Sequence, residues 1–100
     1  MTAKKELTNN MLSAARNALF THWEKVEPKA GQELISFADA VQYISQMSLA
    51  NEISAEEAQY YLAVQKSNMR LKLLTVEGLS IATIEGAIMA ALNTFNRTVN

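Results

Sequence analysis

The residues of this chain that could perform chemistry are few and scattered. There is one histidine, His22, and no cysteine, so thiolate zinc sites, cysteine nucleophiles and disulfides are excluded. The nearest acids, Glu24 and Glu27, lie two and five residues from His22 rather than one helical turn away, where they could share a metal ion with the imidazole. We therefore expect His22 at the edge of the core and no metal site.

The acids and hydroxyls also fail to form a catalytic motif. Glu56 and Glu57 are adjacent, and neighbours in a helix point about 100° apart, so they do not form a general acid and base pair. The serines and threonines match none of the local motifs of serine nucleophiles, and no glycine loop could cradle a phosphate. The sequence therefore predicts a protein that is not an enzyme and binds no cofactor.

Three cations, Lys66, Arg70 and Lys72, lie in the second half of one predicted helix. They could contact phosphates, and helices two and three could form a helix-turn-helix, so a small DNA-binding regulator is the alternative function. Three cations are few against the roughly six to ten phosphate contacts of a typical DNA-binding protein. A net charge of -1 also gives no general attraction to nucleic acid. We therefore interpret the three cations first as part of a solvated helix face, whose charges complement the helix dipole.

The composition favours a chain that buries a core and stays in the cytoplasm. Hydrophobic residues make up 49% of the 100 residues, and 3 Gly with 1 Pro are too few for many short strands. The most apolar stretch, residues 79–92, contains Glu85 and is shorter than the roughly twenty residues that cross a bilayer. We expect one domain over residues 1–100, with no membrane span, no export signal and a cytoplasmic location.

Apolar residues repeat with helical spacing in four segments of the chain. The predicted helices cover residues 8–27, 37–49, 55–77 and 81–96. They predict an all-α fold, a small irregular four-helix bundle. Pro28 and Gly31 predict that helix one ends at residue 27, with a loop over 28–35 and Ser36 as the N-cap of helix two.

Helices three and four have clearer local signals. Ser54 begins a capping box, which has a hydroxyl at the N-cap and a Glu three residues later, and Ser80 is expected to cap helix four. Helix three is predicted to continue past Asn68. Residues 71–76 also alternate as a short strand would, but no second strand is available to pair with them.

Small residues form a narrow face on helix four, where Ala82, Gly86 and Ala90 recur every fourth residue. Gly86 costs roughly 1 kcal/mol relative to Ala inside a helix, so we expect a close contact that offsets this cost. The first interpretation is tight packing within the chain. The alternative is a helix contact with a second copy, which would complete the bundle as a homodimer.

Aromatic residues are the other expected partner contacts. Phe20 and Trp23, like Tyr60 and Tyr61, diverge too far around a helix for both members of a pair to be buried. Trp and Tyr are frequent interface anchors, so Trp23 and Tyr60 are predicted to bind a partner, together with the small-residue face of helix four. The methionines are interpreted as core fillers: Met11, Met47, Met69 and Met89. The predicted function is thus binding of another protein or of a second copy of the chain.

Overall fold

The structure is a computed structural model that describes the backbone of residues 2–99 and the side chains of residues 5–98. Residues 1 and 100, the ends of the predicted domain, lie outside it. Within the described backbone there are four α-helices and one 3-10 turn, and no residue belongs to a strand. These elements are α1 (Thr2–Ala18), a 3-10 turn (Phe20–His22), α2 (Trp23–Leu49), α3 (Ala55–Leu74) and α4 (Ile81–Val99). The predicted all-α four-helix bundle is confirmed.

Successive helices run antiparallel and pack side by side. Thr8 of α1 is hydrogen-bonded to Asp39 of α2, and Lys72 of α3 lies 3.9 Å from Glu33 of α2, so contacting residues lie on either side of each turn. The last helix packs against the first, which is its most extensive contact. The four helices therefore form a closed ring around one core.

The core is built from one apolar stripe of each helix. Its largest fully enclosed side chains are Met11, Leu19, Leu73, Ile84, Ile88, Val26 and Val41. Burying one side chain of this size stabilises the fold by roughly 1.5–3 kcal/mol. Alanines between these residues are buried as well, which allows the helices to approach closely.

The structure places the break between the first two helices earlier than predicted. α1 ends at Ala18 and α2 begins at Trp23, so no helix runs over residues 8–27. The predicted loop over residues 28–35 is helical, and the predicted N-cap, Ser36, lies in the middle of α2.

The turn that joins α1 to α2 carries no glycine or proline. The chain reverses through Phe20–His22, where the His22 N–H donates to the carbonyl of Leu19 at 2.7 Å. Leu19 before the turn and Val26 after it are both buried, so the apolar periodicity continues through the turn. This continuity is why the sequence pattern predicted one uninterrupted helix.

Pro28 is tolerated in the second turn of α2 because the buried face continues past it. Val26, Ala30 and Leu34 follow one another at one-turn spacing, and all three are buried. The Pro28 ring is exposed, and its missing N–H leaves the carbonyl of Glu24 without its helical donor. A proline inside a helix costs about 3 kcal/mol, which burial of Val26 and Leu34 together offsets.

Replacing Pro28 by Ala is expected to stabilise the protein by about 1–2 kcal/mol. The substitution restores a helical hydrogen bond, and the greater freedom of the unfolded chain removes about 1 kcal/mol of that gain. Thermal unfolding followed by circular dichroism measures the change, at roughly 4–8 °C in Tm for each kcal/mol. Lys29→Ala, at the adjacent exposed position, is the control and should leave Tm nearly unchanged. An unchanged or lower Tm for Pro28→Ala would mean that Pro28 does not destabilise α2.

A buried polar network sets how α1 lies on α2. Thr8 Oγ1 donates to Asp39 Oδ1 at 2.7 Å, and Gln42 Nε2 donates to Thr8 Oγ1 at 2.6 Å and to the Ala38 carbonyl at 3.2 Å. Thr8 and Gln42 are buried, so each polar group needs a partner inside the protein. Sliding α1 along α2 would break these bonds, so the network favours a single alignment of the two helices.

Helices α3 and α4 begin where the local signals predicted. The Glu57 N–H donates to Ser54 Oγ at 3.0 Å, and the Ser54 N–H donates to Glu57 Oε1 at 2.9 Å, which completes the capping box. The Thr83 N–H donates to Ser80 Oγ at 3.1 Å, as expected for a capped α4. α3 continues past Asn68, as predicted.

The ends of these two helices differ slightly from the predicted ones. α3 ends at Leu74, before residue 77, because Val76 leaves the helix and is buried in the core. α4 extends through Val99, past residue 96.

Candidate interaction surfaces

α3 has apolar residues on two opposite faces. One face contributes Ala58, Met69 and Leu73 to the core. On the other side, Tyr60 and Leu71 are 66% and 64% exposed. The helical repeat places Leu71 about 160° from Leu73 around the axis. Within the described part of the chain, nothing covers this second face.

We term this second side the outer face of α3. It comprises five exposed and uncharged residues: Tyr60, Ala63, Ser67, Leu71 and Leu74. All five lie within about 40° of one line along the helix. A helix on a protein surface normally presents charged residues to water, so an apolar stripe of this length indicates an interaction surface.

The outer face of α4 comprises Ala82, Gly86, Met89 and Asn93, which are also exposed and uncharged. Met89 is 47% exposed, so its interpretation as a core filler is wrong. Ala90, predicted to share this face, is half-buried at its edge.

The small-residue face of helix four does not pack tightly within the chain. Beyond the neighbouring residues and backbone of α4 itself, a Cβ atom added at Gly86 would meet no atom of the described structure within 4 Å, and Ala82 is exposed. The predicted close contact inside the chain is therefore wrong. In a single copy, nothing offsets the roughly 1 kcal/mol that Gly86 costs the helix. The other interpretation, a contact with a second copy, stays a prediction.

A salt bridge lies between the two outer faces. Arg70 Nε donates to Glu85 Oε2, and Arg70 Nη2 donates to Glu85 Oε1 at 3.1 Å. The hydrogen bond from Arg70 lowers the pKa of the Glu85 carboxyl, and the carboxylate raises the pKa of Arg70. On each helix the paired residue lies between the buried and the outer face, so the two outer faces adjoin on one side of the molecule. Together with this neutral pair they form what we term the α3–α4 surface.

Acid is expected to remove the contribution of this salt bridge to stability. Because the pKa of Glu85 is lower in the folded than in the unfolded chain, the contribution is complete above about 4.3 and is lost as the pH falls through the lowered value. An NMR titration of the Glu85 carboxyl should give a pKa below about 4.3 in the native chain and a higher one in Arg70→Gln. Equal pKa values in both chains would show that Arg70 does not stabilise the charged carboxylate.

The structure exposes one aromatic residue of the first predicted pair and both of the second, since Tyr60 is 66% and Tyr61 is 39% exposed. Tyr60 lies on the outer face of α3, with its ring 5.8 Å from that of Tyr61 in an edge-on arrangement. Phe20 is 77% exposed, whereas Trp23 packs against the core, with the Arg16 guanidinium carbon 5.7 Å from its ring centroid. Tyr60 is therefore available to a partner. At the turn between α1 and α2, Phe20 is more available than the predicted Trp23.

The cations of the DNA-binding alternative are not grouped as a free patch. Arg70 is bound to Glu85, and Lys72 Nζ lies 3.9 Å from Glu33 Oε2. Lys66 is half-buried, lines a cleft among apolar side chains and lies close enough to Glu85 that its charge also lowers the pKa of that carboxyl. All three cations thus have carboxylate neighbours, which reduces the positive potential that a phosphate backbone would meet.

The cleft that Lys66 lines lies between α2, α3 and α4 and has a volume of about 310 Å³. Its apolar lining consists of Val41, Ile44, Leu49, Ala58, Leu62, Leu92 and Phe95. Leu49 is 82% exposed and lies where α2 ends. The cleft offers apolar contacts with the hydroxyls of Ser45 and Ser48 beside them.

The remaining candidates are the side chains that could bind a metal ion, and they do not come together in the described structure. His22 is half-buried in the 3-10 turn, at the edge of the core as expected. Among the described side chains, no three His, Asp or Glu groups lie close enough to share a metal ion. Over the same residues, no helix combines the length and apolarity that a membrane crossing requires.

Comparisons of the chain with protein-family models, curated proteins and solved structures find no match. Any functional conclusion therefore rests on the residues of this chain.

Proposed function

We propose that this chain is a non-enzymatic helical protein that acts by binding protein surfaces, and that its first partner is a second copy of itself. The observation that carries the proposal is the outer face of α3, where Tyr60, Leu71 and Leu74 are exposed to water. Covering apolar surface stabilises a complex by roughly 25 cal/mol for each Å² removed from water. A helix that is apolar on both sides therefore favours a state in which a partner covers the second side.

The α3–α4 surface supports this proposal better than any other part of the described chain. It includes Tyr60, Ala82 and Gly86 of the predicted partner-binding residues, with Ala90 at its edge. Large side chains on α3 lie beside small ones on α4, and such relief lets a partner's side chains interdigitate. The mechanism is burial of apolar surface, and no bond is made or broken.

The proposed place of action is the cytoplasm, and the competing function is regulation of DNA. Lack of cysteine is compatible with a reducing compartment. The carboxylate neighbours of Arg70 and Lys72 favour protein over nucleic acid as the partner. Retention on mixed-sequence DNA at low salt would favour the competing function, because phosphate binding is strongest there.

Light scattering of the purified chain at increasing concentration tests the proposal. We expect the mass to rise from that of one chain towards that of two, because association by mass action grows with concentration. A mass of one chain up to the highest concentration rejects self-association.

A further inference from the structure

We infer that the self-association proposed above is a two-fold symmetric dimer, in which the outer face of α3 packs antiparallel on its copy with Ser67 at the symmetry axis. The inference rests on the proposed function and adds its geometry. The occupant of the α3–α4 surface is a second copy of this chain, so the same patch is buried on both copies.

Spacing on α3 is symmetric about Ser67. Tyr60 and Leu74 lie seven residues before and after Ser67, and Ala63 and Leu71 lie four residues before and after it. In an antiparallel pair centred there, Tyr60 faces Leu74 of the second copy, and Ala63 faces Leu71 of the second copy. In the two pairs nearest the axis, the small side chain of Ala63 faces the large side chain of Leu71, so Leu71 has room against the facing helix.

The outer-face residues of α4 are spaced symmetrically about a point that lies at the same height along the bundle as Ser67. The Arg70–Glu85 salt bridge aligns the two antiparallel helices, and it places Ser67 beside the segment between Gly86 and Met89. The same symmetry axis then brings Met89 opposite Gly86 of the second copy. A glycine there leaves space for the exposed Met89 side chain, and this contact offsets the cost of Gly86 that a single copy leaves unexplained.

The helix dipoles favour the antiparallel arrangement. Antiparallel packing opposes the dipoles of the two α3 helices, whereas parallel packing would align them and bring Glu56 and Glu57 of the two first turns together. Lys72 takes no part, because it lies about 140° around the helix from Ser67 and 3.9 Å from Glu33 of α2. Besides the Arg70–Glu85 pair, whose charges cancel, the surface is bordered by Glu56, which lies in line with the outer face one turn before Tyr60.

The size of the surface suits a weak dimer. In the register centred on Ser67, residues 60–74 of each α3 lie opposite those of the second copy, about 22 Å of helix with a width of about 10 Å, and α4 adds a similar length. Side by side, their footprint is on the order of 450 Å², and accessible surface is larger than its flat footprint. A standard interface buries about 800 Å² on each partner and weak ones bury less, so association should depend on concentration.

Introduced cysteines test this geometry, because the chain has no cysteine of its own. Under a mild copper–phenanthroline oxidant, Ser67→Cys should form a disulfide-linked dimer at least about tenfold faster than Ser13→Cys. Two thiols held at the symmetry axis have an effective concentration in the mM range, far above that of dilute chains. Ser13 is a matched control, because it is an exposed serine on α1, outside the α3–α4 surface.

A mixture of Ala63→Cys and Leu71→Cys chains distinguishes the antiparallel from the parallel arrangement. In the antiparallel dimer the two variants should cross-link to each other. Two copies of Ala63→Cys would lie about 12 Å apart along the helix, beyond the reach of a disulfide. In a parallel dimer each variant would instead cross-link to itself.

Sedimentation of the unmodified chain separates the possible failures. A dimer with fast Ser67→Cys cross-linking and mixed cross-linking of Ala63→Cys with Leu71→Cys supports the inference. A dimer in which Ala63→Cys links to itself, or in which Ser67→Cys reacts no faster than Ser13→Cys, overturns the geometry and leaves the proposed self-association standing. A single chain at every concentration overturns both.

Discussion

Replacing Leu71 by Glu is expected to weaken self-association at least tenfold, which corresponds to about 1.4 kcal/mol, without unfolding the chain. Leu71 is 64% exposed, so a carboxylate at this position stays hydrated in the single chain. In the dimer the carboxylate would lie against Ala63 of the second copy, and an unpaired charge costs several kcal/mol to bury. Both copies carry the substitution, so the penalty arises twice. Sedimentation equilibrium measures the Kd.

Ser13→Glu is the matched control, because it adds the same charge to an exposed position of α1. It should leave the Kd unchanged. Circular dichroism should report the same helix content for both variants. Unchanged association of Leu71→Glu would remove Leu71 from the interface, and a loss of helix content would show that Leu71 supports the fold instead.

Leu73→Ala is expected to destabilise the fold and not the association. It should lower the free energy of unfolding by about 2–5 kcal/mol. Leu73 is fully buried, so truncation removes apolar contacts and leaves a cavity in the core. Urea unfolding of dilute protein, at concentrations where the proposed dimer would be dissociated, measures this loss without a contribution from association.

Leu71→Ala is the control for this prediction, since it makes the same chemical change two residues away on the same helix. Because Leu71 is exposed, the free energy of unfolding of the single chain should change by less than about 0.5 kcal/mol. The two variants should therefore separate association from stability. Similar destabilisation by both would show that α3 does not have one buried and one free face.

The helix ends that depend on short-range chemistry could be predicted from the sequence. Ser54 and Ser80 cap α3 and α4 through hydrogen bonds to residues three positions later. Such bonds are formed by the segment itself, so their signal lies within a few adjacent residues.

The boundary between the first two helices could not be predicted, because tertiary burial outweighs the local signal there. Pro28 is a helix breaker by local rules, yet Val26 and Leu34 on either side of it are held in one core. The true turn, Phe20–His22, has no glycine or proline to mark it. Which of the two segments bends is decided by packing against the rest of the bundle.

The candidate surface was predicted in part. Residue type and spacing predict Tyr60, Ala82 and Gly86 as surface residues, but Leu71 and Leu74 are not among the predicted residues. The helical spacing of Leu71 and Leu74 from Tyr60 is a signal that could have placed them on the same face. A helix with two apolar faces, however, does not show by itself which face the core will cover. That choice depends on the neighbouring helices, which the pattern of α3 alone does not contain.

Whether the outer face of α3 packs on its own copy can be observed by isotope-filtered NMR of a mixture of labelled and unlabelled chains. We expect intermolecular NOEs between the methyl groups of Leu71 and Ala63, and between the Tyr60 ring and the Leu74 methyl groups. Intermolecular NOEs from Phe20, with none from Leu71, would show that the chains associate through a different surface.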